Sequence, residues 1–514
     1  MSQGQRGFRG GLILLTALLA LGMALPMAAV FGAPKPRSNK PNIILILTDD
    51  QDYDSIQYLP RVQQLAAQGV SFSNFLATTP ICCPSRVTFL RGQYVHNHNV
   101  RYNASPGGAF PQFHKLNLDR STVATWMQQA GYRTGFYGKF LNAYPQGVSD
   151  RWMPKGWNDW AAIKRGHYVN FTLNVNGKAV NFGASKGKRG KKAKKSSNYT
   201  TRVLGKKANN FIVASAKAKQ PFFIQISTQA AHTPLVPEAR FRNLFAGVLA
   251  PRTSAFGVKP SDPPAWVQGW PGMTDARAAK IDSDYRKRLQ TLMSVDTMLG
   301  QLQKTLRKTG QANNTYIIFT SDNGWLAGAH NVEGKQSAYT ESIRVPLIIS
   351  GPGVQRGVQE NRIVLNTDIG PTIAALGGAK TPGWVDGRSI VPLLRGEDPG
   401  QWRTGALIEY WQFPGKKTLA WDGDLRSLAA HGPLPPDYKA LRTEDMLYVE
   451  YSTTGEHELY DLETDPDSLT NLYNFASGDL KEELQQGVEA LANCKAQSCR
   501  DAENNAPTPD LPEP

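Results

Sequence analysis

Apolar residues in the first 400 positions of this chain form short continuous runs, separated by longer segments with a helical repeat. Residues 41–48 are a nearly continuous apolar run, which is typical of a strand buried on both faces of a parallel sheet. Further strand candidates are 136–139, 222–227, 316–320 and 345–350. Helical patterns lie between them, at 59–68, 121–130 and 282–308. This alternation predicts a doubly wound α/β core.

The pattern changes near residue 401, where short strand-like segments follow one another without long helices between them. Residues 407–411, 446–452 and 456–461 predict antiparallel strands, and residues 480–493 predict a helix. A chain of 514 residues is also too long for one simple core. We therefore predict a large α/β domain over residues 34–400 and a smaller α+β domain with a tail over residues 401–514.

The amino terminus has the order of an export signal. Arg6 and Arg9 precede an apolar run over residues 12–25, and small residues continue to Ala33. We predict a cleaved signal peptide over residues 1–33 and a secreted, extracellular protein without a stable membrane anchor; the periplasm and the cell surface are related locations. An uncleaved anchor is the alternative, because the apolar stretch comes close to spanning length.

Charge and cysteine content narrow the class of partner and the compartment. Lys and Arg number 58 against 42 Asp and Glu, and this formal net charge of +16 favours acidic partners. We find no nucleic-acid-binding motif, so we predict an anionic glycan and no nucleic acid. A basic low-complexity loop at 184–197 is either a solvated loop or a patch that attracts polyanions. Cys494 and Cys499 bracket a short loop, which predicts a local disulfide.

Residues 80–93 place a cysteine at the start of a predicted helix. Pro84 suits the first helical position, and Gly92 suits the stop. Cys82 and Arg86 are four positions apart, so one helical turn brings their side chains together. Backbone N–H groups at a helix start favour anions, which predicts an anion site beside Cys82. A buried structural cysteine is the alternative.

Two pairs of oxygen-bearing side chains follow predicted strands. Asp49 and Asp50 follow the first strand, and Asp322 and Asn323 follow the strand candidate at 316–320. In open α/β sheets the carboxyl ends of the strands hold the ligands. Three carboxylates and one amide oxygen suit calcium better than zinc. The two pairs therefore predict a site for one hard cation.

The segment Cys82-x-Pro84-Ser85-Arg86 resembles the signature of the formylglycine-dependent sulfatases. Residues 94–100 and 139–142 resemble the branch that contains N-acetylglucosamine-6-sulfatases, heparan endosulfatases and secreted arylsulfatases. The resemblance implies an alkaline-phosphatase-like fold, in which helices sandwich a mixed sheet. It also implies that a formylglycine-generating enzyme converts Cys82, and not the neighbouring Cys83, to formylglycine.

The same resemblance implies the site residues. The catalytic group would be Cys82, Arg86, Lys139, His232 and Lys335. One calcium ion would be held by Asp49, Asp50, modified Cys82, Asp322 and Asn323. Candidates for substrate binding are His96, His98, Asn142 and His330, and candidates for stacking on a sugar or aromatic ring are Trp157 and Trp160. The alternatives are exposed surface charges for the lysines and a buried core position for His232.

The resemblance implies hydrolysis of a sulfate ester, and residues 94–100 and 139–142 favour 6-O-sulfated N-acetylglucosamine in glycans. An arylsulfatase of broad specificity is one alternative. A phosphonate or phosphodiester hydrolase is a second, because formylglycine relatives with those activities exist. A glycan-binding protein without catalysis is the third, and the intact Cys82 and Arg86 argue against it.

Overall fold

The computed structural model describes residues 40–183, 198–414 and 431–513. The predicted signal peptide at 1–33 and the basic loop at 184–197 lie outside these ranges. Within the described ranges, no helix combines the length and the apolar character that crossing a membrane requires.

A ten-stranded mixed sheet forms the centre of the structure. Its strands in chain order are β1 Asn42–Thr48, β2 Val70–Phe72, β3 Arg133–Gly138, β4 Asp159–Gly166, β5 Phe171–Val175, β6 Lys178–Phe182, β7 Phe222–Ser227, β8 Thr315–Ser321, β9 Leu347–Ser350 and β10 Val358–Glu360. Their order across the sheet is β10-β2-β9-β8-β1-β7-β3-β4-β5-β6. The five strands β8, β1, β7, β3 and β4 run parallel to one another. Their carboxyl ends therefore meet at one edge.

Helices cover both faces of this sheet. The α-helices of the described residues are α1 Pro60–Ala66, α2 Cys82–Arg91, α3 Val95–His98, α4 Ala109–Lys115, α5 Val123–Gln129, α6 Thr200–Lys217, α7 Ala265–Gln268, α8 Asp275–Lys308, α9 Thr340–Ile343, α10 Ile369–Gly377, α11 Val391–Arg395, α12 Gly478–Ala492 and α13 Gln497–Asn504. Ile43, Leu45 and Leu47 belong to one apolar core, and Ile44 and Ile46 belong to the other. The apolar run of β1 is continuous because both of its faces are buried.

A second, antiparallel sheet follows residue 400. Its strands are β11 Gly405–Tyr410, β12 Tyr438–Thr443, β13 Met446–Tyr451 and β14 His457–Asp461, paired in that order. Helices α12 and α13 follow, and the predicted disulfide joins Cys494 to Cys499. The predicted α/β class with a smaller carboxyl-terminal domain is confirmed, while the domain boundary near residue 400 stays a prediction.

Two helix starts differ from the sequence prediction. Helix α2 begins at Cys82 with Ile81 as its N-cap, so Pro84 is the third helical residue and not the first. This position costs no hydrogen bond, because the first four N–H groups of a helix have no intrahelical partner. Helix α5 begins at Val123 with Thr122 as its N-cap, two residues after the start of the predicted helical pattern at 121–130. Gly92 ends α2 as predicted, with a left-handed φ of 65°.

Candidate active site

The carboxyl ends of three parallel strands bring the acidic and one of the basic residues together. Thr48 at the end of β1 is in register with Ser321 at the end of β8, so the Asp49–Asp50 pair lies beside the Asp322–Asn323 pair. The backbone N–H of Asp50 donates to Asp322 Oδ1 at 3.1 Å. Lys139 follows β3 at the same edge, and its Nζ lies 2.7 Å from Asp49 Oδ2.

Cys82 lies within this acidic group at the start of α2. Its Sγ is 3.6 Å from Asp49 Oδ1, 3.8 Å from Asp50 Oδ1 and 3.0 Å from Lys335 Nζ. The cysteine is fully buried, at 0% exposure. Burial raises the pKa of its thiol, and the opposing effect of the nearby lysines does not reverse this direction. An unmodified thiol at this place is therefore held in its neutral form at physiological pH.

The neighbouring Cys83 has a different environment. Its side chain belongs to an apolar core, and its backbone N–H donates to Asn103 Oδ1 at 2.8 Å. Burial raises the pKa of Cys83 to about 12. The structure therefore brings Cys82, and not Cys83, among the charged residues.

Three cations neutralise the three carboxylates. Arg86 Nε donates to Asp322 Oδ2 at 2.8 Å, and Lys335 Nζ donates to Asp50 Oδ1 at 2.6 Å. Burial alone would raise the pKa of Asp49, but Lys139 and Arg86 outweigh it and hold that pKa well below its usual range. Burial and the adjacent Asp49 raise the pKa of Asp322 to about 6.

The acidic group fits a hard divalent cation. Carboxylate oxygens from Asp49, Asp50 and Asp322 lie within 4.8 Å of one another. Asp50 Oδ2 and Asn323 Oδ1 are buried and have no hydrogen-bond partner among the described residues. Buried oxygens without partners are costly unless a ligand completes them. An all-oxygen set of this kind is what Ca²⁺ and Mg²⁺ take, so these residues could hold one such ion.

His232 joins the group from the segment after β7. One of its ring nitrogens lies within 4.8 Å of both an Asp49 oxygen and Cys82 Sγ. Its Nδ1 is 2.6 Å from the Thr233 carbonyl oxygen. Because a carbonyl only accepts, the proton of the neutral ring is on Nδ1, and Nε2 carries the lone pair.

The structure does not bring His96 and His98 to this group. His96 Nδ1 lies 2.9 Å from Glu409 Oε2, and its Nε2 lies 3.1 Å from the Cys494 carbonyl oxygen. His98 is buried between Thr88 Oγ1, at 3.2 Å, and the backbone N–H of Val100, at 3.1 Å. Both rings therefore join parts of the protein to each other, and we withdraw them as substrate ligands.

His330 is also engaged elsewhere. Its ring stacks on Tyr339 with centroids 3.8 Å apart, and its Nε2 lies 3.8 Å from Glu341 Oε2. Its Nδ1 is buried without a hydrogen-bond partner among the described residues, so a substrate role for His330 stays a prediction. The two tryptophans predicted to stack on substrate are buried in the aromatic core around Phe136, with Trp157 7% and Trp160 0% exposed. Both tryptophans pack in the core and do not line the site, so the prediction that Trp157 and Trp160 stack on substrate is wrong.

Asn142 remains open as a substrate ligand. Its backbone carbonyl accepts from the N–H of Phe110 at 2.9 Å, and its side-chain Oδ1 is buried without a hydrogen-bond partner among the described residues. Its role stays a prediction.

Sequence reasoning missed two residues beside the site, Arg288 and Trp325. Arg288 Nη2 donates to the Asp50 carbonyl oxygen, and its guanidinium lies 4.1 Å from the ring of Trp325. One signal could have found Arg288. It shares the buried side of α8 with Tyr285 and Leu292, where an arginine is out of pattern.

Comparisons with known proteins agree with this geometry. The sulfatase family model matches residues 41–379, and the model of the N-sulphoglucosamine sulphohydrolase C-terminal region matches residues 328–494. Human N-acetylglucosamine-6-sulfatase is 33% identical over 94% of this chain and 89% of its own length. An arylsulfatase of Volvox carteri is 31% identical over 95% of this chain and 79% of its own.

Solved structures share the fold. One protein, in complex with its substrate D-glucosamine-2-N,6-O-disulfate, superposes with a TM-score of 0.73 at 23% identity, covering 91% of this chain and 99% of that one. Its likeness supports the alkaline-phosphatase-like architecture predicted from sequence. With a family model matching most of the chain and a relative aligned over nearly its whole length, the protein belongs to the sulfatase family and is a sulfuric ester hydrolase.

Proposed function

We propose that this protein hydrolyses the 6-O-sulfate ester of N-acetylglucosamine units in glycans, with formylglycine at position 82 and one calcium ion. The observation that carries this proposal is the burial of Cys82 among three carboxylates and three cations. The formylglycine would supply an oxygen nucleophile, and the calcium ion would neutralise charge on the sulfate. Asp49, Asp50, Asp322 and Asn323 would hold that ion.

The cations of the site suit a sulfate group. Arg86, Lys139 and Lys335 would bind the sulfate oxygens and stabilise the negative charge that develops on them during S–O cleavage. They act in a buried site, where each charge interaction is stronger than in water. His232 would bind the sulfate or, in its doubly protonated form, donate the Nε2 proton to the leaving sugar oxygen as a general acid, because its Nδ1 proton is held by the Thr233 carbonyl.

Relatives of two kinds bear on the substrate. Human N-acetylglucosamine-6-sulfatase and the Volvox arylsulfatase match this chain at nearly the same identity. A broad arylsulfatase is therefore the second candidate. We prefer the glycan substrate because the human enzyme is covered over more of its own length and because the net charge of +16 favours a polyanion.

The site chemistry is tested with the two adjacent cysteines. Peptide mass spectrometry of protein expressed with a formylglycine-generating enzyme should find formylglycine at position 82 and an unmodified Cys83. Cys82→Ala should abolish turnover of every sulfate ester, whereas Cys83→Ala, the matched control, should retain it. An active protein with an unmodified thiol at position 82 contradicts the proposal.

The substrate is tested by kinetics on three esters. We expect kcat/KM for N-acetylglucosamine-6-sulfate to exceed that for 4-nitrophenyl sulfate, and 4-nitrophenyl phosphate to be a poor substrate. A strong preference for the aryl sulfate with no turnover of the sugar leaves the arylsulfatase candidate. A preference for the phosphate ester would favour the phosphohydrolase alternative.

Export belongs to the same proposal. The disulfide between Cys494 and Cys499 supports an oxidising compartment. We propose cleavage of residues 1–33 and secretion, which amino-terminal sequencing of the secreted protein would check.

A further inference from the structure

A cleft opens directly beside the site. Its empty volume, counted together with the open solvent at its mouth, is about 610 Å³. Thr233, Arg288, Trp325 and Glu333 line it. Each of these four residues is next to, or bonded to, a residue of the site. Thr233 directly follows His232, and Trp325 is two residues after Asn323. Glu333 is two residues before Lys335, and Arg288 donates to the Asp50 carbonyl oxygen. The walls of the cleft are therefore continuous with the site.

Arg288 is the exceptional group in this cleft. The residue is 2% exposed, and its Nη2 donates to the Asp50 carbonyl oxygen. Its Nε and Nη1 have no hydrogen-bond partner among residues 40–183, 198–414 and 431–513. In those ranges no carboxylate lies within 4.0 Å of its guanidinium nitrogens. Burying a cation with unpaired donors is costly unless a ligand completes the pairing.

The other charges of the cleft are already paired. Lys280 forms an ion pair with Asp284, and Glu333 pairs with Arg277 at 3.1 Å. Among the lysine, arginine, aspartate and glutamate side chains that line the cleft in the described ranges, Arg288 is thus the one without an ion pair. A guanidinium presents its N–H groups in a planar fork, which matches the two oxygens of a carboxylate or a sulfate.

Trp325 adds an aromatic surface to the same cleft. Its ring is partly buried and lies 4.1 Å from the Arg288 guanidinium. An indole ring offers a flat apolar face with little conformational freedom to lose, which suits the face of a sugar ring. The cleft therefore combines a stacking surface with a cation.

We propose that this cleft is a sugar subsite in which Arg288 binds a second oxyanion of the substrate, besides the sulfate that is cleaved. The second oxyanion is the carboxylate of a neighbouring uronate or a second sulfate, and Trp325 contacts the ring that carries it. This inference rests on the proposed glycan sulfatase function and names the kind of glycan: one with more than one anionic group per disaccharide.

The test compares kcat/KM of Arg288→Gln and wild type on four esters. They are 4-nitrophenyl sulfate, N-acetylglucosamine-6-sulfate, N-sulfoglucosamine-6-sulfate and a 6-sulfated disaccharide that contains a uronate. Arg286→Gln is the matched control, because Arg286 lies on the same helix and donates to the Val248 carbonyl. It should leave all four values unchanged.

Arg288→Gln should lower kcat/KM on the doubly anionic esters about 10- to 100-fold more than on the two singly anionic ones, the range for a buried charge-assisted hydrogen bond. The ester that shows the excess loss identifies the oxyanion as a carboxylate or a sulfate. An equal loss on all four esters overturns the proposal, because Arg288 then only positions Asp50.

A measurement on wild type keeps the test decisive if the variant does not fold. Wild type should prefer a doubly anionic sugar over N-acetylglucosamine-6-sulfate, and added salt should reduce this preference. A preference for the singly anionic sugar overturns the subsite and leaves the glycan sulfatase intact. Turnover of the aryl ester alone overturns the proposed substrate itself.

Discussion

Two clusters of buried charge in this protein contain the same kinds of side chain but differ in how those side chains are paired. The first surrounds Cys82. The second, which we call the Arg403 cluster, joins the carboxyl-terminal segment to the large domain and consists of Tyr94, Asp368, Arg388, Arg403 and Glu503. Arg86 is 2% exposed and Arg403 5% exposed, so water reaches neither arginine freely.

The two clusters differ in how many of their side-chain oxygens accept hydrogen bonds. In the Arg403 cluster every carboxylate oxygen accepts a hydrogen bond: Asp368 from Arg403 and from backbone N–H groups, and Glu503 from Tyr94, Arg388 and Arg403. Around Cys82, Asp50 Oδ2 and Asn323 Oδ1 have no such partner among the described residues. Carboxylate oxygens that are all paired indicate a structural role, and buried oxygens without partners indicate a place prepared for a ligand.

Breaking the Arg403 cluster should have the largest effect, and on stability. Arg403→Met leaves Asp368 and Glu503 without their main cation, which costs about 3–5 kcal/mol of unfolding free energy. Urea denaturation measures this loss. Arg395→Met is the control, since Arg395 is exposed and should change stability by less than about 0.5 kcal/mol. A loss as small as that of the control would mean that the cluster does not hold the two regions together.

Asp50→Asn should act mainly on activity. It removes a carboxylate from the proposed ion site, and we expect kcat/KM to fall by about 10²–10³-fold. Stability should fall by about 1–2 kcal/mol, less than in Arg403→Met, because an asparagine carbonyl oxygen can still accept a hydrogen bond from Lys335 Nζ. Asp296→Asn is the matched control, a buried carboxylate that accepts from the N–H of Arg61. Full activity in Asp50→Asn would remove Asp50 from the ion site.

Calcium binding should distinguish the two clusters through a smaller change in stability. At a concentration of 100 Kd, an ion that binds only the folded protein adds about 2.7 kcal/mol to the unfolding free energy. Thermal unfolding with calcium and with a chelator measures this gain. Arg403→Met should keep the gain, whereas Asp50→Asn should lose most of it. An equal gain in wild type and Asp50→Asn would locate the ion elsewhere.

The smallest effect concerns two histidines, two positions apart in the chain, whose contributions to stability depend on pH in opposite directions. Burial would lower the pKa of His96, but Glu409 outweighs it and raises that pKa. The stabilisation by His96 is therefore full below about pH 6.5, the unfolded value, and is lost as pH rises through the folded value. Burial lowers the pKa of His98 well below its usual value, so its contribution is present above pH 6.5 and is lost as pH falls.

Unfolding of His96→Gln and His98→Gln at pH 5.5 and pH 9 checks these signs. His96→Gln should lose about 1 kcal/mol more at pH 5.5 than at pH 9, and His98→Gln should show the reverse order. Neither should alter the preference among sulfate esters. The same pH trend in both variants would contradict the assigned environments.

The sequence indicated well which edge of the sheet carries the acidic group, because parallel strands end together and the residues after them must meet. Asp49, Asp50 and Asp322 needed only that rule. Lys335 came from the family resemblance alone, since it follows a two-residue strand, Glu333–Gly334, rather than a strand of the large sheet. The helix that carries Cys82 was visible from its glycine stop.

The sequence could not show which partner each histidine takes. His96 and His98 lie only 14 and 16 positions after Cys82, yet their partners are Glu409 and Thr88, and nothing local distinguishes a ligand from such a contact. Arg288 was missed because it stands among other basic residues of a long helix. Its position on the same side of the helix as Tyr285 and Leu292 was the available signal, and the basic residues around it obscured that signal.

The complete burial of Cys82 also sets an order of events during biosynthesis. At 0% exposure, its sulfur offers no surface that a second protein could reach once β1, β8 and α2 have come together. An enzyme that modifies Cys82 must therefore act while the chain is still being made or has not yet folded. Maturation then competes with folding in time, and chains that fold first become stable proteins that carry an unmodified thiol.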